Sequence, residues 1–131
     1  PVIISDKVEW LSLDDWQAER KALLGQIDEW RRDWESRDVQ RYLRHYSKRF
    51  KADGQDYRDW ADQKQRVAGG KTWIKLATEK VSMFRIPGTL DLVVVGFDQD
   101  YRSNNLNNQM RKRQYWTKED GRWKIIYEGA A

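Results

Sequence analysis

The last third of the chain alternates hydrophobic and polar residues with a period of two, which is the spacing of β-strands. Val93, Val95 and Phe97 show the alternation within one run. Asp120-Gly121 is a two-residue hairpin signal, and Pro87-Gly88 and the asparagine-rich segment 104–108 predict further turns. The pattern predicts four antiparallel strands, of which the first is long and bulged, at 73–86, 89–103, 109–118 and 122–128.

The preceding part of the chain follows a helical period instead. One apolar stripe, spaced by 7, 4, 3 and 4 residues, predicts a first helix that starts near Ser12-Leu-Asp-Asp15: Trp16, Leu23, Ile27, Trp30 and Trp34. Asp38 is the predicted cap of a second helix with these inward residues: Val39, Tyr42, Leu43, Tyr46 and Phe50. After a turn at 51–54, Asp56 is the predicted cap of a third helix, which carries Trp60 and ends at Gly69-Gly70.

Three helices followed by a hairpin-connected sheet predict an α+β domain with the helices on one face of a strongly bent antiparallel sheet. We expect residues 1–12 to be a lead-in segment, with a short strand at 2–4, and residues 13–131 to form a single domain. Because the chain begins at Pro1, we expect a processed product or an excised domain.

Counting outward from the 120–121 turn predicts the pairing of the last strands. It pairs Glu119 with Arg122, and it sets Trp116 opposite Ile125. The outer face is then predicted to carry a ladder of opposite charges, which supports this register: Asp98, Asp100, Arg111, Arg113 and Glu128. The inner face is predicted to be apolar: Val93, Val95, Phe97, Trp116, Trp123, Ile125 and Tyr127.

An apolar patch is predicted on the outer face beside the 87–88 turn: Val81, Met83, Leu92 and Val94. Exposed patches of this kind mark interaction surfaces. Either the segment 2–4 or a second protein surface would cover it. We therefore expect a dimer or an interdomain contact at this face.

Composition excludes several kinds of chemistry. The chain has no cysteine and one histidine, so it carries no disulfide, no thiolate metal site and no cysteine nucleophile, and a metal site is not expected. No cofactor motif is present, because Gly69-Gly70-Lys71-Thr72 lacks the earlier glycine of a phosphate-binding loop. The net charge of +4 permits contact with anionic partners. No run of residues is long and apolar enough for a membrane span.

The order of these elements and their aromatic residues resemble the nuclear transport factor 2-like (NTF2-like) superfamily, a cone with a pocket between helices and concave sheet. The resemblance covers about residues 16–128 and rests on four patterns: Trp30-x-x-x-Trp34, Asp38-x-x-x-Tyr42-Leu43-x-x-Tyr46-x-x-x-Phe50, Val95-x-Phe97-x-Gln99-x-Tyr101-x-Ser103 and Gly121-x-Trp123-Lys-Ile125-x-x-Glu128. Within the superfamily, the chain is most similar to the domain appended C-terminally to some bacterial L,D-transpeptidases and other cell-envelope proteins. The resemblance implies a periplasmic or envelope location and an accessory role, since the transpeptidase nucleophile is a cysteine of a separate domain.

Polar residues on the otherwise apolar sheet face predict a ligand cleft near the asparagine loop. Its predicted lining is Trp60, Trp73, Gln99, Tyr101, Lys112, Gln114 and Trp116. Gln99 and Lys112 would orient the ligand. The alternative is a hydrogen-bonded, partly exposed rim without a ligand.

Catalysis is not expected in this chain. His45 falls outside the apolar stripe of its helix, which predicts an exposed or helix-boundary residue. The predicted charged ladder pairs its carboxylates with arginines, which makes poor bases near neutral pH. A register off by one would turn these acids into the cone, and an isomerase or dehydratase would then become feasible.

Three functions remain open. The first is a non-catalytic ligand- or partner-binding domain of a bacterial envelope protein, with a peptidoglycan fragment or a small apolar ligand as its partner. The second is a small-molecule isomerase or dehydratase that uses the cone pocket, and the third is a dimerisation module. Nucleic-acid binding is not expected, because helical periodicity turns Tyr42, Tyr46 and Phe50 away from the basic residues beside them.

Overall fold

The computed structural model describes residues 13–86 and 92–131 and has the α+β architecture expected from the sequence. Its described residues form three helices: α1 (Leu13–Glu35), α2 (Val39–Leu43) and α3 (Tyr57–Gly69). They form six strands: β1 (Lys51–Ala52), β2 (Gln55–Asp56), β3 (Ile74–Arg85), β4 (Leu92–Ser103), β5 (Asn107–Glu119) and β6 (Arg122–Ala130). Strands β3 to β6 make an antiparallel sheet in chain order, while β1 and β2 make a separate short hairpin.

The starts of α2 and α3 follow from local capping, as predicted. The Asp38 carboxylate accepts a hydrogen bond from the backbone N–H of Arg41 at 3.3 Å. Asp56 and Asp59 form a reciprocal capping box at the start of α3. Helix α2 is shorter than predicted, but the chain beyond it still turns Tyr46 and Phe50 into the core.

The core lies between α1 and the concave face of the sheet. The α1 stripe is buried from Leu23 to Trp34, with Trp16 half-buried at its start. Trp30 contacts Phe97 of β4, with ring centroids 5.8 Å apart. Trp30 and Phe97 belong to a set of large side chains with almost no exposed surface, which also includes Phe50, Trp116 and Ile125. Aromatic residues therefore supply most of the volume of this core.

A β-bulge near the end of the chain changes the predicted pairing. Trp116 lies opposite Ile125, as counted from the turn, but Tyr115 then pairs with Tyr127, so that Ile126 is an extra residue. Beyond the bulge, Glu128 lies opposite the fully buried Gln114. The prediction that placed Glu128 on the outer charged face was therefore wrong, because one extra residue reverses the alternation.

The outer ladder is correspondingly different from the predicted one. Arg113 lies opposite Gly129 instead of Glu128, and Asp98 is paired with Arg111 at 3.2 Å. Asp100 contacts Arg102 of its own strand at 3.3 Å. The predicted symmetric closure of the asparagine loop pairs Asp98 with Arg113 and Asp100 with Arg111. The turn between β4 and β5 is tighter than that, which shifts the partners by two residues and leaves the faces unchanged. Tyr127 pairs with Tyr115 on the other side of the strand from Trp116, although its half-buried side chain still packs against the core.

A second bulge interrupts β3, which confirms the prediction of a bulged first strand. The pairing with β4 shifts between Glu79 and Ser82, and Lys80 has a φ of +52°. Arg111 holds the bulge, since its Nη1 donates to the Lys80 carbonyl at 2.8 Å and its Nη2 donates to Ser82 Oγ at 3.2 Å. The alternation therefore reverses along β3 as well.

This second bulge divides the predicted apolar patch. Val81 and Met83 pack against the core, whereas Val94 lies opposite Phe84, whose side chain is 54% exposed. The four residues predicted to form a dimer face thus do not share one face of the sheet. The segments 1–12 and 87–91, which contain the predicted strand at 2–4, Ser12 and the 87–88 turn, lie outside the described residues.

Candidate functional site

A polar cluster lies inside the cone, and its centre is the buried carboxylate of Glu128, which is 3% exposed. Glu128 accepts hydrogen bonds from the Tyr46 hydroxyl at 2.6 Å, Lys112 Nζ at 2.8 Å and Gln114 Nε2 at 2.8 Å. We call these four residues the Glu128 cluster. A buried charge of this kind is stable only when it is paired and hydrogen-bonded, and all these partners are present.

The sheet brings the cluster together. Lys112 and Gln114 alternate on the inner face of β5, and the bulge in β6 turns Glu128 toward them. The segment after α2 is bonded to β6, since the Ile125 N–H donates to the His45 carbonyl at 2.7 Å and Ile125 accepts from Ser47 at 2.9 Å. This attachment positions Tyr46 from the helical side.

Further hydrogen bonds tie the cluster to the aromatic core. Trp30 Nε1 donates to the Tyr46 hydroxyl at 3.0 Å, and the hydroxyls of Tyr42 and Tyr46 are 2.7 Å apart. Trp116 Nε1 donates to Gln114 Oε1 at 3.0 Å. A network in which each polar group has a partner holds its side chains in one arrangement.

The electrostatics of the cluster favour a permanently ionised Glu128. Burial acts to raise the pKa of its carboxyl, but the charges of Lys112 and Lys64 and the hydrogen bonds outweigh it, and the pKa lies below the ordinary value of 4.5. Burial, and then the Glu128 charge, raise the pKa values of Tyr42 and Tyr46 well above 10.0. The carboxylate therefore accepts hydrogen bonds at neutral pH, but it is a weak proton acceptor.

Lys64 adds a second cation beside the cluster. Its Nζ lies 4.2 Å from the centroid of Trp60 and 5.7 Å from that of Trp34. The pKa of Lys64 is lowered to about 8, mainly because the ammonium group is buried. The negative charge of Glu128 acts to raise this pKa, and the positive charge of Lys112 acts to lower it. Two ammonium groups thus share one buried carboxylate.

Two interior polar atoms have no hydrogen-bond partner among the described residues. They are the donor Nε1 of Trp60 and the acceptor Oε1 of Gln99, on side chains that are 8% and 7% exposed. Buried polar groups in folded proteins nearly always have partners. The Trp60 N–H still lies near enough to the Tyr42 hydroxyl to lower its pKa, and both unpaired atoms are candidate contacts for a ligand.

The other residues of the predicted cleft differ in their environment. Gln114 and Trp116 have no exposed surface, so they support the site and do not contact solvent. Trp73 is 44% exposed. Tyr101 is half-buried, with Lys71 Nζ at 5.6 Å from its ring. The predicted cleft thus includes Trp60 and Gln99, which carry the two unpaired polar atoms, and its role as a ligand site stays a prediction.

Sequence reasoning missed three members of this region. Glu128 was assigned to the outer face because the bulge was not foreseen at 126. Tyr46 was correctly predicted to be buried, but the hydrogen bond from its hydroxyl to Glu128 was not predicted. Lys64 carried a usable signal, since it follows Trp60 by four residues and so shares its face of α3.

His45 lies at a helix boundary, directly after the cap of α2, which is one of the two predicted alternatives; the other, an exposed side chain, is not found. It is 7% exposed, and its Nε2 lies 2.7 Å from Asp33 Oδ2 of α1. The short α2 ends before His45, so the helical stripe did not apply to it. The pair lies in a separate surface groove, away from the Glu128 cluster.

No helix in the described part of the chain is long and apolar enough to cross a membrane. A family model described as the Cds6 C-terminal NTF2-like domain matches residues 22–129. No curated protein matches the chain.

Three solved structures show the same fold. Bd1075 of Bdellovibrio bacteriovorus is 27% identical, with a TM-score of 0.82 over 98% of this chain and 46% of that chain. The helical cell shape determining protein Pgp2 of Campylobacter jejuni is 22% identical, with a TM-score of 0.76 over 82% of this chain and 39% of that one. An NTF2-like protein of unknown function from Pseudomonas putida KT2440 is 15% identical, with a TM-score of 0.72 over 86% and 84% of the two chains. The chain spans less than half the length of the first two proteins.

Proposed function

The chain belongs to the family of Cds6 C-terminal NTF2-like domains, and on that premise we propose that it is a non-catalytic, ligand-binding accessory domain of a bacterial cell-envelope protein. Similarity to a helical cell shape determining protein supports an envelope role. Since the matched regions are under half of Bd1075 and Pgp2, the domain would act beside other domains, such as an L,D-transpeptidase domain. A periplasmic location is part of this proposal.

The observation that carries the proposal is the pair of interior polar atoms on Trp60 and Gln99. A ligand that accepts from Trp60 Nε1 and donates to Gln99 Oε1 would satisfy both. Lys64 and Lys112 lie in the same interior and would attract carboxylate groups. Peptidoglycan fragments combine hydroxyls, amides and carboxylates with sugar faces that pack on aromatic rings, so we propose a fragment of this kind as the ligand.

The state of Glu128 favours binding over catalysis. An isomerase or dehydratase needs a base that is free to take a proton near neutral pH. Glu128 lies inside the cone, but three donors hold it and the pKa of its carboxyl is lowered. The bulge thus supplies the interior carboxylate that an enzyme would require, and its partners make it a structural anion.

Calorimetric titration of the domain with a purified disaccharide-tetrapeptide tests the proposal. Gln99→Leu and Trp60→Phe each remove one available polar atom, and each should weaken binding about 10-fold, as expected for one hydrogen bond of about 1–1.5 kcal/mol. Gln109→Leu makes the same change at an exposed position of β5 and should leave the affinity unchanged. Chromatography should recover the ligand intact.

Two results would overturn the proposal. If Gln99→Leu bound the disaccharide-tetrapeptide as tightly as wild type, the ligand would not bind at the interior site. Conversion of the ligand into a product, lost in Glu128→Gln, would establish an enzyme instead. Unfolding curves of each variant separate a lost contact from a lost fold.

A further inference from the structure

A second concave site lies outside the cone, in a groove between α1, the segment after α2 and the β5–β6 hairpin. Its volume is about 910 Å³. That is at the upper end of the range of small-ligand sites and suits a short chain better than a single ion. The Glu128 cluster does not line it, so the groove is independent of the ligand site proposed above.

The groove is strongly basic. Only Glu29 and Asp33 contribute carboxylates to its lining, whereas six residues contribute cations: Arg32, Arg41, Arg44, Lys118, Arg122 and Lys124. Both acids and Arg32 come from α1, whereas the other five cations come from α2, the residue after it and the β5–β6 hairpin. The resulting field attracts anions into the concavity.

Three of these cations are available to a partner. Arg32, Arg41 and Lys118 have carboxylate partners at 3.1, 4.0 and 4.0 Å. Within residues 13–86 and 92–131, the side chains of Arg44, Arg122 and Lys124 form no ion pair; Lys124 donates only to the backbone carbonyl of Arg44.

The lowered pKa of Lys124 reflects the excess of positive charge in the groove. Burial and then the positive charges of Arg122, Lys48 and Arg44 lower the pKa of Lys124, while Glu119 acts to raise it. A cluster of like charges is held together here by the fold, and an anion would relieve the repulsion.

The floor of the groove is built from buried side chains. His45 is held by Asp33, and Trp123 is 8% exposed, with Lys118 Nζ at 5.4 Å from its ring. The neighbouring aromatic residues Tyr42 and Tyr46 are buried in the core, so no row of exposed rings accompanies the cations. Stacking of single-stranded bases needs such rings, and the groove lacks them in the described residues.

We propose that this groove binds a short acidic peptide segment of a protein partner, whose carboxylates pair with Arg44 and Arg122 and whose backbone lies over His45 and Trp123. Guanidinium groups match carboxylates in bidentate geometry, and both Arg44 and Arg122 line the groove without an ion-pair partner among the described residues.

Fluorescence anisotropy with a labelled hexaglutamate peptide, with hexaglutamine as the neutral control, tests the inference. The Arg44→Gln/Arg122→Gln variant should lose about 10- to 100-fold in affinity for hexaglutamate, the value for one or two charge-assisted hydrogen bonds. The matched variant Arg58→Gln/Arg66→Gln removes the same charge from exposed positions of α3 and should lose no more than about twofold, the effect of net charge alone at about 150 mM salt.

Several outcomes would overturn the inference. Equal losses in the two double variants would mean that net charge alone attracts the peptide. If hexaglutamate showed no saturable binding, or if hexaglutamine bound equally well, the groove would not be a site for acidic peptides. Tighter binding of polyphosphate or of a short oligonucleotide at equal charge would assign the groove to another class of partner. Gln99→Leu leaves the groove unaltered and should bind hexaglutamate normally, so this test is independent of the cone ligand.

Discussion

Replacement of Glu128 by glutamine isolates the buried charge at the centre of the cone. The Lys112–Glu128 contact at 2.8 Å corresponds to a gross attraction of about 6 kcal/mol at an effective dielectric constant of about 20. Desolvation of both ions offsets most of it, so the net value of the pair is small. Glu128→Gln removes the attraction but leaves the ammonium groups of Lys112 and Lys64 desolvated.

Loss of one partner from a buried pair costs about 3–5 kcal/mol. Lys112 is 12% exposed and regains some contact with water, which favours the lower end, while the glutamine oxygen replaces the carboxylate for only some of the three donors. We expect Glu128→Gln to lower the free energy of unfolding by about 3–4 kcal/mol. Urea denaturation followed by tryptophan fluorescence measures this loss.

A double variant separates charge from packing. Lys112→Met/Glu128→Gln removes both ions, and it should be more stable than Glu128→Gln alone by about 1–2 kcal/mol. Glu29→Gln makes the same change at an exposed helix position and should stay within about 0.5 kcal/mol of wild type. A loss below about 1 kcal/mol in Glu128→Gln, or strict additivity in the double variant, would refute the assignment of Glu128 as a buried, paired anion.

The same variant has a pH signature. The pKa of Glu128 is below 4.5 in the folded protein, so its stabilising effect is complete above that pH and is lost as pH falls through the folded pKa. Wild type should therefore lose more stability than Glu128→Gln between about pH 5 and pH 3. Parallel curves would contradict the lowered pKa.

Three further predictions concern other parts of the fold. The pKa of Lys64 falls from 10.5 to about 8 on folding, so between these pH values the unfolded state binds more protons than the folded state. The free energy of unfolding measured in urea should therefore rise from about pH 8 to 9.5, and Lys64→Gln should abolish this rise. Gly121 has a φ of +77°, so Gly121→Ala should lower stability by about 1 kcal/mol in thermal unfolding, whereas Gly25→Ala, with open space around it in α1, should raise it by about 0.5–1 kcal/mol. Arg111→Met removes the contacts that hold the β3 bulge, and amide hydrogen exchange at Lys80 should accelerate while exchange in β6 stays unchanged.

Much of the fold could be predicted because its signals are local. A capping aspartate such as Asp38 or Asp56 acts within three residues, and the α1 stripe repeats within one helix. The 120–121 turn likewise sets the pairing of the residues next to it, as Trp116 and Ile125 show. In each instance the residues that decide the conformation are neighbours in sequence.

The candidate site was predicted in part for the same reason. Alternation along β4 identifies Gln99 as an inner residue, and the helical period identifies Trp60 as an inward residue of α3; both carry polar atoms without a hydrogen-bond partner among the described residues. The partners of His45 and Lys64 were not predictable, because Asp33 and Glu128 reach them from other elements.

What the sequence alone determined is the order of the helices and strands, their caps and turns, and the apolar faces as far as the first irregularity. The sequence predicted that β3 is bulged, but the tertiary structure decided where that bulge lies and added the one in β6, and with them the inward position of Glu128 and the division of the patch that contains Val81. A bulge adds one residue to a strand at little local cost, and its place depends on distant contacts such as that of Arg111 with Lys80. Because side chains alternate with a period of two, each extra residue exchanges the inner and outer faces for the rest of the strand.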